Sequence, residues 1–289
     1  MSRIEWSAAL LVPLLWGVQF VAIKLGLSAF PPLFMAAMRF SLITLLLLPF
    51  VGAGSAKEIR GAAVISVSFG GLGFGLFFCG LKFGSAGMSS VIVQLMPVFT
   101  VLLGWPMLGE RPAFLLLVGV ILAFLGVAVA LARPGDPVSW IGSMLIAASA
   151  LSQGLGNVLI KRLGPFKPIR LVAWMALFTA PQLVLTSAFL ETGQLASLLT
   201  ADFAAWLAFA YTVLVGGALS LGLWFWLIDR QSVARVAPFA LLQAVVAIVA
   251  GAAFLDERMS ALSIIGTAIC LGGVALTQIR TGFHQTKTK

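Results

Sequence analysis

Charged residues are scarce in this chain of 289 residues: only 9% are charged, whereas 61% are hydrophobic. An average soluble protein carries about 25% charged residues, and a soluble fold needs polar cover over roughly half of its exterior. So little charge excludes an ordinary soluble domain. The mean hydropathy of +1.11 indicates that the bilayer is the solvent. The 30 glycines and 13 prolines agree with this, because both are commoner in membrane helices.

Histidine and cysteine are nearly absent as well. The single histidine, His284, lies in the polar tail, which excludes a histidine metal site and a Ser-His-Asp triad. Cys79 and Cys270 stand alone in apolar runs and match no metal or redox spacing, so we interpret them as small buried hydrophobic residues. We expect no metal site, no cofactor and no catalytic residue.

Long apolar runs are what the sequence has in abundance. A bilayer core of about 30 Å needs roughly 20 apolar residues per helix. Ten segments qualify: 6–27, 32–51, 61–82, 85–107, 112–132, 139–160, 170–190, 203–228, 232–254 and 260–279. They lack the period-two alternation of barrel strands. The sequence therefore predicts an all-α polytopic membrane protein with ten transmembrane helices.

The positive charges are distributed unevenly between the two sides of these spans. Ten spans place both termini on one side, which receives thirteen Lys and Arg side chains, whereas the other side receives four: Lys24, Lys82, Arg133 and Arg258. Because cytoplasmic loops carry the excess of Lys and Arg, we expect both termini in the cytoplasm of a bacterial inner membrane. The net charge of +9 is then an inner-leaflet signature, and we expect no nucleic-acid partner.

The two halves of the chain repeat each other. A shift of 147 residues lays "LMPVFTVLLGWPMLGERP" on "LQAVVAIVAGAAFLDERM", and "WGVQFVAIKLG" recurs as "QGLGNVLIKRLG" at a slightly shorter offset. Five spans per half is an odd number, so the halves, 1–135 and 136–289, must lie upside down relative to each other. Such inverted-topology repeats are common in secondary transporters, which bind substrate at the repeat interface.

Several of these motifs carry a family resemblance. "WG…F…K" in the first span, "RF" in the second and the Pro-to-"GER" segment ending the fourth resemble the EamA family of the drug/metabolite transporter superfamily over nearly the whole chain. The resemblance implies a ten-helix carrier whose spans 1–4 and 6–9 surround a central cavity. Within the family, the chain most resembles exporters of aromatic amino acids. It departs from symmetry at Pro97, whose counterpart is Ala244.

Polar residues share one face of the first span and one face of the sixth. The two faces are Trp16, Gln19, Phe20 and Lys24, and Gln153, Gly156, Asn157 and Lys161. Because polar groups facing lipid are costly, both faces should look inward. Gln19, Gln153 and Asn157 then either contact substrate or hydrogen-bond a neighbouring helix. We expect the two lysines, which lie at the boundaries, to reach water.

Four further residues lie where a carrier needs polar or flexible groups. Gln94 and Gln243 are about 14–16 Å into their spans, near the midplane, and we predict that they contact substrate. Pro97 and Pro238 are candidate hinges, because proline removes a backbone hydrogen bond. Arg39, about 10 Å inside the second span, has two interpretations: it binds carbonyls at the end of the first helix, or it attracts a substrate carboxylate.

The glycine run "FGGLGFGLFFCG" and its counterpart "GGALSLGLWFW" predict close helix packing. The first run lacks the strand and the Lys-Ser/Thr ending of a nucleotide-binding loop. Where such helices line a cavity, glycine leaves room for a ring. We predict an aromatic-lined pocket from Trp16, Phe20, Phe78, Tyr211, Trp224 and Trp226. The alternative for each ring is lipid contact or interfacial anchoring.

These observations favour an exporter of small neutral or zwitterionic metabolites, most of all aromatic amino acids, that works by alternating access. All nine acids fall at span ends or in loops, so no acid is available at depth for a cationic drug or a proton. A carrier of phosphorylated or nucleotide-linked metabolites is an alternative, but it would need several deep cations. An integral-membrane enzyme is a second alternative, and it would need a reactive cluster at depth. We interpret "GER" and "DER" as loops with surface ion pairs.

Overall fold

The computed structural model describes residues 1–109, 112–132, 139–231, 236 and 239–279, and every regular element in these ranges is a helix. Eight of the described helices are long and apolar enough to cross a membrane, and two shorter apolar helices follow them. The predicted all-α membrane class is thus confirmed. The candidate hinge Pro238 and the "GER" residues Glu110 and Arg111 lie outside the described residues.

Most helix bounds agree closely with the predicted spans, but the described helix of the ninth span begins at Leu242 instead of residue 232. In chain order the helices are α1 (Arg3–Gly26), α2 (Pro32–Val51), α3 (Ala56–Phe83), α4 (Ala86–Leu108), α5 (Phe114–Leu131), α6 (Trp140–Leu163), α7 (Pro168–Leu190), α8 (Gln194–Thr200), α9 (residues 203–230), α10 (Leu242–Leu255) and α11 (Ala261–Ile279). Helix α8 was not predicted, because its seven residues lie in a break between two predicted spans.

Polar residues in the breaks start the helices. Ser2 with Glu5 forms a reciprocal capping box at the start of α1, and Ser55 with Glu58 does the same for α3. The Ser85 hydroxyl accepts from the backbone N–H of Met88 at 3.2 Å at the start of α4. These caps satisfy backbone donors that the first turn of a helix leaves free, so the apolar runs become separate helices.

Glycines bring α5 and α11 into backbone contact. A Cβ added at Gly119 would lie 2.7 Å from the carbonyl oxygen of Gly273, and one added at Gly126 would lie 2.7 Å from that of Gly266. Each of the four glycines thus faces another glycine's backbone across the pair. Small residues permit this approach in membranes, where van der Waals packing and not the hydrophobic effect joins helices.

Two helices contain a π-helical segment in mid-span. The segments are Ser66–Phe74 in α3 and Leu214–Leu219 in α9. The 147-residue shift places the second segment within the counterpart of the first. A π-helical turn leaves backbone groups without their usual i−4 partners. Side chains take up some of these groups: the Ser220 hydroxyl donates to the Val215 carbonyl at 2.7 Å.

Helix α4 is interrupted at Gln94. The α-helical segments Ala86–Val93 and Leu95–Leu108 meet there, and the Gln94 N–H bonds the carbonyl of Val91 at 3.2 Å in place of an i−4 partner. Pro97, three residues later, lacks an N–H and so cannot continue the ladder. A turn at Leu241, the repeat counterpart of Gln94, precedes α10.

Candidate functional site

The centre of the candidate site is the contact between Gln19 on α1 and Arg39 on α2. With its amide oriented to satisfy both neighbours, Gln19 accepts from Nη1 and Nη2 of Arg39 at 3.1 and 3.0 Å and donates to the Gly216 carbonyl at 2.6 Å. Gly216 belongs to the π-helical segment of α9. Gln19 therefore joins the first half of the chain to the second, and Arg39 uses this side chain instead of the helix-end carbonyls that we expected as one interpretation.

Aromatic rings surround the guanidinium of Arg39. Its Cζ lies 6.0 Å from the ring centroid of Phe40, 5.5 Å from that of Phe74 and 6.0 Å from that of Phe78. These separations fall in the range of cation–π attraction. Phe78 is fully buried, and Phe20 meets Phe77 edge to face at 5.4 Å. Two of the predicted pocket rings, Phe20 and Phe78, thus belong to the packed aromatic cluster around this cation.

The midplane amides contact each other. Nε2 of Gln243 donates to Oε1 of Gln94 at 3.3 Å, and Nε2 of Gln94 is buried with no hydrogen-bond partner among the described residues. Helix α1 passes beside this pair, because a Cβ added at Gly17 would lie 2.8 Å from the Gln243 carbonyl. The pair joins α4 to α10 at the point where α4 is interrupted.

Three further predicted pocket residues line the contact between α1 and α9. The rings of Trp16 and Trp224 lie 5.4 Å apart and are tilted by 52°. The Tyr211 hydroxyl donates to the Leu15 carbonyl at 3.0 Å. All three predicted residues are half-buried, so each keeps a surface that packing does not cover. The ring centroid of Trp226 lies 4.6 Å from Cζ of Arg230. Trp226 and Trp224 also pack against the same small apolar cluster, which includes Ala9 and Leu227.

Metal-ligating clusters do not occur in the part of the chain that the structure describes: no group of three or more His, Cys, Asp or Glu side chains is placed to hold an ion. Cys79 and Cys270 are both free thiols, and Cys270 is buried. The described polar groups are amides, hydroxyls, one tyrosine and one deep guanidinium. Such a set can bind a solute through hydrogen bonds and charge.

Comparison with known proteins decides the class. The sequence profile of the EamA-like transporter family matches residues 4–132 and again residues 140–279. The chain belongs to this family. It is therefore a membrane transporter and not an enzyme, and the family resemblance read from its motifs is confirmed.

Two relatives and one solved structure extend this finding. A protein of Salmonella typhimurium named "Probable amino-acid metabolite efflux pump" is 33% identical over 100% of this chain and 98% of its own length. A protein of Escherichia coli with the same name is also 33% identical, over 95% and 94% of the two chains. A crystal structure 20% identical to this chain superposes with a TM-score of 0.64 and covers 96% of each chain; at that identity the likeness shows the fold alone.

In this EamA-like transporter the polar face of α6 packs against other helices. Nε2 of Gln153 donates to the Ser149 hydroxyl at 2.9 Å, and Ser149 donates to the Gly73 carbonyl at 2.7 Å in the π-helical segment of α3. Nδ2 of Asn157 donates to the Thr100 hydroxyl on α4 at 3.2 Å. Asn157 thus makes the predicted hydrogen bond between helices, whereas Gln153 bonds Ser149 within α6 and is linked to α3 only through that hydroxyl. Substrate contact by either residue stays a prediction.

Lys24, which we expected to reach water, is half-exposed, and its ammonium also makes hydrogen bonds that were not predicted. Its Nζ donates to the carbonyls of Leu81 and Lys82 at 3.0 and 3.2 Å and also to that of Gly84. These are the carbonyls that the last turn of α3 leaves free. A cation is favourable there, because a helix carboxyl end carries partial negative charge. Lys24 therefore fastens α1 to the end of α3.

Glu257, in the "DER" loop, also makes contacts that the sequence did not predict. Its two carboxylate oxygens accept from the backbone N–H groups of Ala86 and Gly87 at 2.7 and 3.0 Å. We expected a loop ion pair, whereas the carboxylate instead holds the amino end of α4. Glu191 does the same for α2 by accepting from Leu33 and Phe34 at 2.8 and 3.0 Å. Two acids of the second half thus hold the amino ends of two helices of the first half. The only sign of this role in the sequence was the position of both acids in loops.

Proposed function

We propose that this transporter exports small zwitterionic metabolites, aromatic amino acids above all, across a bacterial inner membrane. The observation that carries the proposal is the composition of the site: one deep guanidinium, paired amides and many rings, with no acid among the described groups around Arg39. The names of the two relatives that are 33% identical, amino-acid metabolite efflux pumps, support amino acids as the substrate class. The rings at 4.9–6.3 Å from one another around Phe40 and Phe74 favour substrates that carry a ring.

We further propose ten transmembrane helices in two inverted repeats, 1–135 and 136–289. Equivalent contacts support this arrangement. A Cβ added at Gly17 on α1 would lie 2.8 Å from the Gln243 carbonyl oxygen, and one added at Gly154 on α6 would lie 3.1 Å from the Met96 carbonyl oxygen. Met96 is the counterpart of Gln243 under the 147-residue shift, and the glycines are counterparts in the opening motif. The first helix of each half thus crosses the fourth span of the other half through the same pair of positions.

The mechanism we propose is alternating access about this repeat axis. The irregular backbone supports it, because π-helical segments and helix breaks concentrate where helices change shape. Such irregularities occur at equivalent places in both halves: the π-helical segments of α3 and α9, and the turns at Gln94 and Leu241. Pro97 is then the hinge of the first half, and Pro238 is proposed as that of the second. Rocking of one half would expose the central amides and rings first to the cytoplasm and then to the outside.

Flux measurements test this function. The full-length protein is reconstituted in liposomes loaded with unlabelled amino acid, and counterflow of radiolabelled phenylalanine, tyrosine, tryptophan, leucine and serine is compared with empty liposomes. We expect uptake of the three aromatic amino acids, and weaker uptake of leucine and serine. If leucine or serine exceeds the aromatic three, the ring preference is wrong. Absence of flux for every amino acid would contradict the substrate class.

A further inference from the structure

Arg39 is a buried cation without an acidic partner in the described part of the chain. Its side chain is 5% exposed, and the acceptor that faces it is the neutral amide of Gln19. Carboxylates in the described ranges are engaged elsewhere: Glu58 with Arg170 at 3.1 Å, and Glu191 and Glu257 at helix amino ends. Burying an unpaired charge is costly, so a fold that retains one at this depth has a use for it.

We propose that Arg39 is the residue that binds the carboxylate of the transported solute. This inference rests on the proposed function, since it names the group that an amino-acid carrier needs for one end of a zwitterion. The positive charge is then neutralised by substrate instead of by the protein. Recognition by charge also predicts that a solute with a carboxylate binds better than an amine that has the same ring but no carboxylate.

The hydrogen-bonding pattern of the guanidinium supports a bidentate contact. Gln19 takes one donor from each of Nη1 and Nη2, whereas the Nε donor is buried and has no hydrogen-bond partner among the residues that the structure describes. A guanidinium has five N–H donors in a fixed planar fork. Nε and the adjacent Nη present two parallel donors, the spacing that matches the two oxygens of a carboxylate. This unused edge is where we place the carboxylate.

The surroundings of Arg39 fit the rest of an aromatic solute. Three phenyl rings lie within 6.0 Å of the guanidinium carbon. Because apolar rings occupy these positions, few polar groups are near enough to solvate the charge. An ion pair in such water-poor surroundings is stronger than one at a surface. The same rings offer edge-to-face contacts to a substrate ring. Gln19 meanwhile holds the guanidinium in place through a second bond, to Gly216 in the other half of the chain.

The sharpest test replaces Gln19 with glutamate. Gln19→Glu keeps the shape of the side chain and puts a permanent carboxylate about 3 Å from the guanidinium. The internal ion pair should remove the binding of external carboxylates, while the new carboxylate loses the bond that the Gln19 amide donates to the Gly216 carbonyl. If Arg39 only joins helices, this variant should still bind external carboxylates as the native protein does. Normal carboxylate binding by Gln19→Glu would therefore overturn the proposal.

Binding is measured as the shift in melting temperature of the full-length protein in detergent, because a ligand that binds only the folded state stabilises it. The probes are L-phenylalanine, 3-phenylpropionate, which lacks the ammonium, and phenethylamine, which lacks the carboxylate. We expect the first two to raise the melting temperature by several degrees and phenethylamine to have little effect. Equal shifts with all three probes, or no shift with either carboxylate, would contradict the proposal.

Variants of Arg39 and a matched control complete the design. Arg39→Gln should weaken the binding of 3-phenylpropionate at least about tenfold, as expected for the loss of charge-assisted hydrogen bonds. Arg39→Lys keeps the charge but loses the planar fork of donors, so it should retain part of the shift in melting temperature. It replaces Arg39→Gln in the experiment if that variant fails to fold. Arg170→Gln removes an arginine outside the site and should leave the shift unchanged. Unaltered binding by Arg39→Gln would show that the carboxylate is bound elsewhere.

The two proposals fail in different ways. Absence of flux for every amino acid in liposomes would contradict the export of amino acids, yet the binding of 3-phenylpropionate and its loss in Arg39→Gln would still stand. Conversely, phenylalanine flux that survives unchanged in Arg39→Gln and Gln19→Glu would keep the proposed function and overturn the role of Arg39.

Discussion

The side-chain amide of Gln243 donates to the side-chain oxygen of Gln94 at 3.3 Å, and this bond joins α10 to α4. It uses one acceptor and one donor and leaves Nε2 of Gln94 buried without a partner in the described part of the chain. An unsatisfied donor at the interface of the two halves is costly. A substrate that accepts from this donor would remove the cost, so the pair is both a contact between helices and a candidate binding group.

Leucine at either amide separates these two roles. Gln94→Leu and Gln243→Leu keep the approximate size and remove the hydrogen bonds. Loss of a bond to a charged substrate group costs about 1.5–3 kcal/mol, so transport at low substrate should fall at least about tenfold in each variant. The double variant should fall further if both amides contact substrate. Counterflow of labelled phenylalanine measures the effect.

Gln194→Leu is the matched control, because this glutamine bonds carbonyls near the end of α7, away from the amide pair. It should transport as the native protein does. If Gln94→Leu and Gln243→Leu also transport normally while the protein loses stability, the pair only holds helices together.

Two neighbouring glycines of α11 should respond in opposite ways to alanine. A Cβ at Gly273 would lie 2.6 Å from the Gly119 carbonyl, whereas nothing lies within 4 Å of a Cβ at Gly272. Gly273→Ala must push α5 and α11 apart, and we expect a loss of about 1–3 kcal/mol, as for other overpacked sites. Gly272→Ala should be neutral or stabilising by about 0.5–1 kcal/mol, since alanine favours the helix.

Melting temperatures of the two purified variants check this prediction. Equal melting temperatures would mean that α11 does not approach α5 through Gly273. A variant with reduced stability but normal transport would agree with a peripheral role for these two helices, which the family resemblance implied.

Local sequence predicted the helices well and the contacts between them poorly. Bilayer thickness fixes span length, so apolar runs alone placed α1 to α7 within a few residues. The role of Lys24 could not be predicted in the same way, because its partners Leu81, Lys82 and Gly84 lie 57–60 residues away. Glu257 caps backbone groups 170 and 171 positions away. Only the packing of helices decides such pairs.

The candidate site shows the same contrast between what local sequence predicts and what helix packing decides. Depth along a helix predicted that Gln94 and Gln243 lie near the midplane and contact substrate, but it did not predict the hydrogen bond between them. The partnership of Gln19 with Arg39 was not predicted, since it depends on the rotation of α1 against α2. Glycine runs indicated close packing in α3 and α9, but periodicity cannot reveal that each run adopts a π-helical turn.

Membrane topology gives a further prediction. The excess of Lys and Arg on one side predicts that both termini lie in the cytoplasm. In a background without the two native cysteines, single cysteines at Lys57 and Lys167 should be shielded from an impermeant thiol reagent applied to intact cells. Cysteines at Asp136 and Gln194 should react. The reverse pattern would overturn both the orientation and the assignment of the Lys24 end of the molecule to the outer side.

Energy coupling is the last prediction. A proton-driven carrier needs a group that titrates while it is exposed to each side in turn, and buried carboxylates serve because desolvation moves their pKa toward neutrality. The acids whose side chains the structure describes lie at helix ends or in loops: Glu5, Glu58, Glu191, Asp202, Asp256 and Glu257. An arginine such as Arg39 is a poor proton carrier, because a guanidinium keeps its proton in proteins. We therefore expect a facilitator that carries solute down its own gradient, so that export follows a high internal concentration.

Phenylalanine flux is measured in proteoliposomes with an imposed pH gradient, with an imposed membrane potential and with neither. A facilitator should bring internal and external phenylalanine to equal concentrations in all three cases, since a zwitterion carries no net charge. Accumulation above equilibrium that follows the pH gradient would contradict the prediction, and it would direct attention to Lys24, the titratable side chain that fastens α1 to α3.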